Sequence, residues 1–188
     1  MAKKALVVYA NGSEAIEVTA ITDILKRVGV NVTTATVNEN SDKTVELANG
    51  TKVIVDKNIS EVKDDTFDVI AIPGGIDGSN NCKNSSVLID MLKKQESEKR
   101  YRAAICAAPG YVLGSHNLIG NAKATGYPGC DTGIKNYVSS DGVVFDKDYN
   151  LITGQGPAYS MDFAFTIASV LVDNDTLQKV KLGMLHKK

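Results

Sequence analysis

The sequence predicts an α/β sandwich with a mainly parallel sheet at its core. Three observations carry that expectation: the apolar runs Lys4 to Ala10 and Phe67 to Ile72, the helix-period segments between such runs, and the glycines and prolines that punctuate the changes. A continuous apolar, β-branched run is what a strand covered on both faces requires. Strands alternating with helical patterns give βαβ units, with right-handed crossovers.

Taken in order, Lys4 to Ala10 is the first buried strand, broken by Asn11-Gly12-Ser13. Ser13 is expected to cap a helix over about Glu14 to Val28, whose Ile16, Ile21, Ile24, Leu25 and Val28 suit one buried face. Gly29 ends it, as a glycine just past a helix does. Val30 to Val37 is a second strand. Asn49-Gly50 is a turn signal between Val45-Glu46-Leu47 and Lys52 to Val55, a hairpin expected on the sheet's margin. Phe67 to Ile72 is stopped by Pro73-Gly74-Gly75; a helix from about Ser85 to Lys99 then turns Val87, Leu88, Met91 and Leu92 inward. The next strand ends at Cys106. Pro109 to His116 reads as a short helix and Ala122 to Tyr127 as an extended piece. Gly142 to Phe145 and Leu151 to Thr153 form an antiparallel pair around the polar turn Asp146 to Asn150. Gly154-Gln155-Gly156-Pro157 leads into a helix of about fifteen residues, with Pro157 at its first position. Asp175 to Leu182 is the last helix. With no repeat and no linker, residues 1–188 read as a single domain.

Composition narrows the function classes. The chain is 43% hydrophobic with a net charge of −1, so it lacks the basic surplus that phosphate contacts with nucleic acid demand. No apolar stretch approaches the ~18 residues of a membrane span, and Ala5 to Ala10 is too brief for a signal-peptide core. Cys82, Cys106 and Cys130 are widely spaced, without a CxxC, which disfavours a disulfide framework and a zinc site and fits a reducing, cytoplasmic compartment. Cys82, flanked by Asn81 and Lys83, reads as exposed and incidental. The two histidines, His116 and His186, lie where neither serves Cys106, so a conventional Cys-His-acid triad is not expected.

Ligands of open α/β sheets bind beyond the carboxyl ends of the strands. Asn11 to Glu17, Pro73-Gly74-Gly75 and Cys106 converge there. A cysteine at a strand end, followed by small residues and a proline-opened helix, would have N–H groups aimed at its sulfur and a lowered pKa. A small thiol that merely packs has the same local sequence. Gly74 and Gly75 would offer backbone donors to an oxyanion, although a tight turn also accounts for the pair. Glu17 interrupts an apolar stretch near a helix start. Buried, it would have a raised pKa and donate to the thiolate; exposed, it would merely favour the helix dipole. Gly154-Gln155-Gly156 imitates half a dinucleotide fingerprint but lacks the third glycine and the acidic strand.

Ala10 to Glu14 with Glu17, Asp68 to Gly75, Ala103 to Pro109, Thr125-Gly126-Tyr127-Pro128 and Gly154 to Pro157 before the final long helix are an ordered set. The set resembles the ThiJ/PfpI superfamily, in its DJ-one branch and nearer the bacterial and protist versions that carry Tyr-Pro. The resemblance runs essentially end to end. It implies a flavodoxin-like three-layer α/β/α sandwich that forms a homodimer and needs no cofactor or metal. It implies that Cys106 is the redox-sensitive nucleophile, that Glu17 is the acid bonded to it, and that Gly74, Gly75 and Ala107 supply backbone donors. Tyr127 is an auxiliary group, and Arg27 matches a position that approaches the partner subunit's site. The activities implied are glutathione-independent conversion of methylglyoxal and related dicarbonyls to hydroxy acids, and deglycation of early protein or nucleotide adducts. A different function class is implied beside them: an oxidant sensor and chaperone acting through a Cys106 sulfinate.

The departures sharpen the expectation. Tyr127 stands where animal members place a histidine, and a phenol is a poor base, so Glu17 is left to move the protons. Gln155 replaces a frequent arginine, Asp56 falls where some members have a second cysteine, and Ala107 stands where the protease branch has a histidine. Peptidase activity is therefore not expected.

Overall fold

The computed structural model describes residues 2–139 and 142–186. Strand β1 (Lys4–Tyr9) leads through helix α1 (Ala15–Arg27) to β2 (Asn31–Thr36), the βαβ unit read from the sequence. A small hairpin, β3 (Thr44–Glu46) and β4 (Lys52–Ile54), precedes the short β5 (Lys57–Asn58). Then come β6 (Val69–Ile72), α2 (Ile76–Asn84), α3 (Ser86–Ser97) and β7 (Tyr101–Ile105). After the two-residue strands β8 (Lys123–Ala124) and β9 (Asn136–Tyr137), β10 (Val143–Asp146) and β11 (Leu151–Gly154) lead into α4 (Ser160–Ser169) and α5 (Asn174–Gly183).

Seven strands form the central sheet in the order β10-β11-β7-β6-β1-β2-β5. All neighbours run parallel except β10 against β11. Side chains alternate across it: Ala5, Val7 and Tyr9 meet α1, α4 and α5, whereas Leu6, Val8 and Ala10 meet the α3 side. Both faces are therefore dry, which is why β1 and β6 carry continuous apolar runs. Each fully buried Leu, Ile or Val contributes about 1.5–3 kcal/mol. The architecture is a flavodoxin-like three-layer sandwich.

Four expectations are corrected. Glu14, not Ser13, caps α1, its carboxylate accepting from the Glu17 N–H at 2.8 Å. Ser13 sits one residue too early, and its hydroxyl accepts from the Ala10 N–H. The β3–β4 hairpin is a sheet of its own, and β5 takes the margin beside β2. Helix α2, six of whose nine residues are Asn, Ser, Gly or Asp, carries no helical signal in sequence. The turn after Cys106 is π-helical over Pro109–Leu113, then 3-10 over Gly114–His116.

From β1 the chain winds outward to β2, while β6, β7 and β11 stack the other way. The reversal lies between β1 and β6, and the crevice at their carboxyl ends is where such sheets bind ligands. Gly12, Gly74 and Cys106 follow β1, β6 and β7 into that crevice.

Candidate active site

Cys106 is the first residue past β7. Its N–H donates to the Gly154 carbonyl at 2.9 Å, and its own carbonyl accepts from the Tyr127 N–H at 2.7 Å. Pinned at both ends, it adopts a φ of +64°, a left-handed conformation that costs an L-residue of order 1–3 kcal/mol. The side chain is 8% exposed. The N–H groups of Gly75 and Ala107 point at its sulfur.

Glu17, in the first turn of α1, is completely buried. Its Oε2 accepts from the Gly74 N–H at 2.6 Å, while Oε1 is buried without a hydrogen-bond partner among the described residues. The carboxyl also lies within hydrogen-bond reach of the Cys106 thiol. Gly74 makes this approach possible. A Cβ there would stand 2.4 Å from the Cys106 Cβ and 2.8 Å from Glu17 Oε2, so Gly74→Ala would push the pair apart.

Burial raises Glu17 to about 7, with the Glu14 charge adding to the shift; Gly74 and the thiol pull it back only in part. Burial also pushes the Cys106 thiol up to about 12, and the charge on Glu17 reinforces it. The lowered thiol pKa expected from sequence is therefore not found. The two N–H donors pull downward, but burial and the neighbouring carboxylate outweigh them. Two negative charges in one dry pocket oppose each other, so the pair keeps at least one proton through neutral pH. With that proton on the carboxyl, the sulfur is a thiolate facing two N–H groups.

Tyr127, Pro128, Gln155, Gly156, Pro157, Ala158 and Tyr159 line a cleft of about 360 Å³ without a charged side chain. Cys106 is not part of its wall and is tied to it through the Tyr127 N–H on the Cys106 carbonyl. Tyr127 is half exposed over it.

The DJ-1/PfpI family pattern matches residues 3–170 of this chain. The chain belongs to that family. It is 38% identical over 186 residues to protein dj-1beta of Drosophila melanogaster, covering 98% of each chain. It is 32% identical over 162 residues to the glutathione-independent glyoxalase DJR-1.2 of Caenorhabditis elegans, covering 85% of this chain and 83% of that protein. Among solved structures, oxidized Toxoplasma gondii DJ-1 superposes with a TM-score of 0.92 at 35% identity, with 100% of both chains covered.

Within this DJ-1/PfpI chain the expected site residues divide. Cys106, Glu17, Gly74, Gly75 and Ala107 come together. However, the Gly74 N–H is taken by Glu17, which leaves Gly75 and Ala107 as the donors facing the sulfur. Arg27 is at the far end of α1, half exposed and paired with Asp23 at 2.6 Å; ten helical residues, about 15 Å, separate it from Glu17. The Gln155 amide donates to the Ser139 carbonyl. Asp56 accepts from the Thr34 N–H and hydroxyl. His116 bonds the Lys83 carbonyl, and His186 pairs with Asp162 and packs on Phe165. Among the described residues no cluster of His, Cys, Asp or Glu is arranged to hold a metal. No described helix is long and apolar enough to cross a membrane.

Sequence reasoning missed three parts. Glu14 matters as a cap whose charge lifts Glu17. Tyr159 closes the cleft. Cys82, expected on the surface, is wholly buried, because α2 turns it into the core.

Proposed function

We propose that this chain is a glutathione-independent glyoxalase and deglycase acting on methylglyoxal, related dicarbonyls and their early adducts through Cys106. One observation carries the reading: a buried carboxyl–thiol pair that shares a proton, on a strained residue with two N–H donors at its sulfur. A glyoxalase name on a relative at 32% identity supports it.

As Sγ bonds the aldehyde carbon, the thiol proton passes through Glu17 to the carbonyl oxygen, which becomes the hydroxyl of a hemithioacetal and leaves Glu17 as a carboxylate. The Gly75 and Ala107 N–H groups hold the charge developing there. The Glu17 carboxylate then takes the proton from the first carbon while the second carbonyl oxygen gains the proton of the first carbon's hydroxyl, through an enediol. Return of the carbon-bound proton from Glu17 to the second carbon leaves a lactoyl thioester. Water cleaves the thioester to lactate and restores the thiol. A carboxyl near 7 suits both directions of transfer at neutral pH. Turnover of methylglyoxal by pure protein without glutathione is the test; a rate retained by Cys106→Ala would overturn the reading.

The same reading takes residues 1–188 as one domain working as a cytoplasmic homodimer. Exposed Ile16, Met161 and Leu185 support the assembly, and sedimentation equilibrium tests it. A second reading, an oxidant sensor and chaperone, has its own support. The donors that hold a thiolate also hold a sulfinate, and the Toxoplasma gondii relative was solved oxidized. A Cys106 sulfinate after mild peroxide, with negligible dicarbonyl turnover, would favour it.

A further inference from the structure

The Cys106 thiol is closed on one side. A Cβ on Gly74 would fall 2.9 Å from Sγ and 2.8 Å from Glu17 Oε2, so the Gly74 backbone fills that side. A group bonded to Sγ leaves by another. Two segments hold the peptide groups of Cys106: the Gly154 carbonyl accepts from its N–H, and the Tyr127 N–H donates to its carbonyl. From these two points run the walls of the uncharged cleft, Tyr127 and Pro128 on one side, Gln155 to Tyr159 on the other. The mechanism above uses no part of that cleft.

Both of its rings are seated on glycine. A Cβ on Gly156 would stand 3.4 Å from the Tyr127 ring, and one on Gly142 would stand 2.0 Å from the Tyr159 ring. Gly142 is itself held, its carbonyl accepting from the Gln155 N–H at 2.8 Å. The Gln155 amide also holds the Ser139 carbonyl, and the Tyr159 N–H donates to the Gly156 carbonyl at 2.9 Å. The rings are therefore in place before a ligand arrives, which spares the ligand the cost of ordering them. The volume of about 360 Å³ falls within the roughly 300–1,000 Å³ of small-molecule clefts and exceeds what a methyl group fills. A flat aromatic group would meet the offset or edge-on contacts that tyrosine rings favour. An anion would lose its hydration against a wall in which no described residue is charged.

We propose that this cleft is the substituent subsite of the dicarbonyl reaction, selecting α-oxoaldehydes whose second carbon bears a flat, uncharged aromatic group over those that bear an anion. The inference rests on the function proposed above and names the substrate class of that site. Phenylglyoxal and water would give mandelate by the same steps, with no further reactant.

The test compares kcat/KM for phenylglyoxal, methylglyoxal and 4-carboxyphenylglyoxal on the full chain. Wild type is expected to prefer phenylglyoxal to its carboxylated analogue by about tenfold or more. Ratios compared between variants cancel both the intrinsic reactivity of each aldehyde and the fraction of protein folded. Tyr159→Ala is expected to lower the phenylglyoxal-to-methylglyoxal ratio about five- to twentyfold, mostly through KM. Tyr159→Phe, which keeps the ring, retains that ratio within about twofold. Ala158→Lys places a cation on the wall at an exposed position and is expected to raise the 4-carboxyphenylglyoxal-to-phenylglyoxal ratio about tenfold. A wild type that prefers the carboxylated analogue, or ratios left unchanged by Tyr159→Ala or by Ala158→Lys, would each overturn the proposal. Should the wild type turn over none of the three, the dicarbonyl reading fails by itself. The subsite is then read by saturation-transfer NMR with acetophenone, which has the ring and the ketone but no aldehyde. A signal lost in Tyr159→Ala supports the subsite; no signal, or equal signals in both proteins, overturns it.

Discussion

Cys82 and Cys106 are both buried, both free, and both pushed up to about 12. Their neighbourhoods differ in kind. Burial is the whole cause at Cys82, which sits in α2 against the apolar cluster of Leu88, Leu92 and Val112. At Cys106 burial is joined by a carboxyl that is itself raised, by two N–H donors, and by a left-handed backbone. A raised thiol pKa therefore does not mark an inert cysteine. What separates the two is a neighbour able to take the proton and donors able to hold the charge left behind.

The largest test of that contrast is removal of each thiol. Cys106→Ala is expected to lower methylglyoxal turnover by about 10³-fold or more, as loss of a nucleophile does, with Cys82→Ala within about twofold of wild type. Equal losses would erase the distinction.

Removing the proton acceptor comes next. Glu17→Gln is expected to lower kcat/KM by about 10²- to 10⁴-fold, the usual range for a general acid–base group. In the wild type, kcat/KM should rise with pH as the pair loses a proton near about 7, then level off; the variant should lack that inflection. A pH profile identical in both proteins would remove Glu17 from the chemistry.

Peroxide titration followed by mass spectrometry sharpens the comparison further. Cys106 should oxidise at least about tenfold faster than Cys82 in the native protein, because only its thiolate is accommodated. Equal rates would mean that unfolding, not local chemistry, exposes both.

The smallest effect is on stability. Folding raises Glu17 from 4.5 to about 7, so the folded chain holds a proton that the unfolded chain releases between those values. Stability thus falls as pH rises through that window, and the deficit is complete above it, at about 3 kcal/mol. Glu17→Gln carries no such deficit. Thermal denaturation at pH 8 should show the variant melting roughly 6–10 °C above wild type, with the gap closing towards pH 4.5. A gap that widens on acidification would contradict burial as the cause of the shift.

Much of the fold was legible from sequence, for local physical reasons. Lys4 to Ala10 and Phe67 to Ile72 read as strands because both sheet faces are covered, which leaves no polar position over Ala5 to Val8 or Val69 to Ile72. Lys4 and Asp68 stand at the exposed edges of the runs. Gly29 ended α1 because the chain there requires a φ of +81°. The β10–β11 pair followed from two apolar runs around a polar turn. Within the site, Cys106 stood out as a thiol at a strand end, and Glu17 as an acid inside an apolar stretch.

The sequence by itself determined which segments are strands, which helix faces turn inward, and which residue types stand at the strand ends. Periodicity and turn chemistry are local, and they suffice for that. Only the tertiary structure decided that α2 would be helical despite its composition, with Gly78 pressed against Ser13 and Cys82 turned into the core. It also decided that the Gly74 N–H would serve Glu17, and that Cys106 would be bent to a positive φ by the Gly154 and Tyr127 bonds. Those outcomes depend on donors and acceptors far apart in the chain, which meet only where the carboxyl ends of β1, β6 and β7 share one crevice. The thiol's pKa belongs to the same class. Neighbouring residues suggested a lowered value, and burial beside a distant carboxylate raised it.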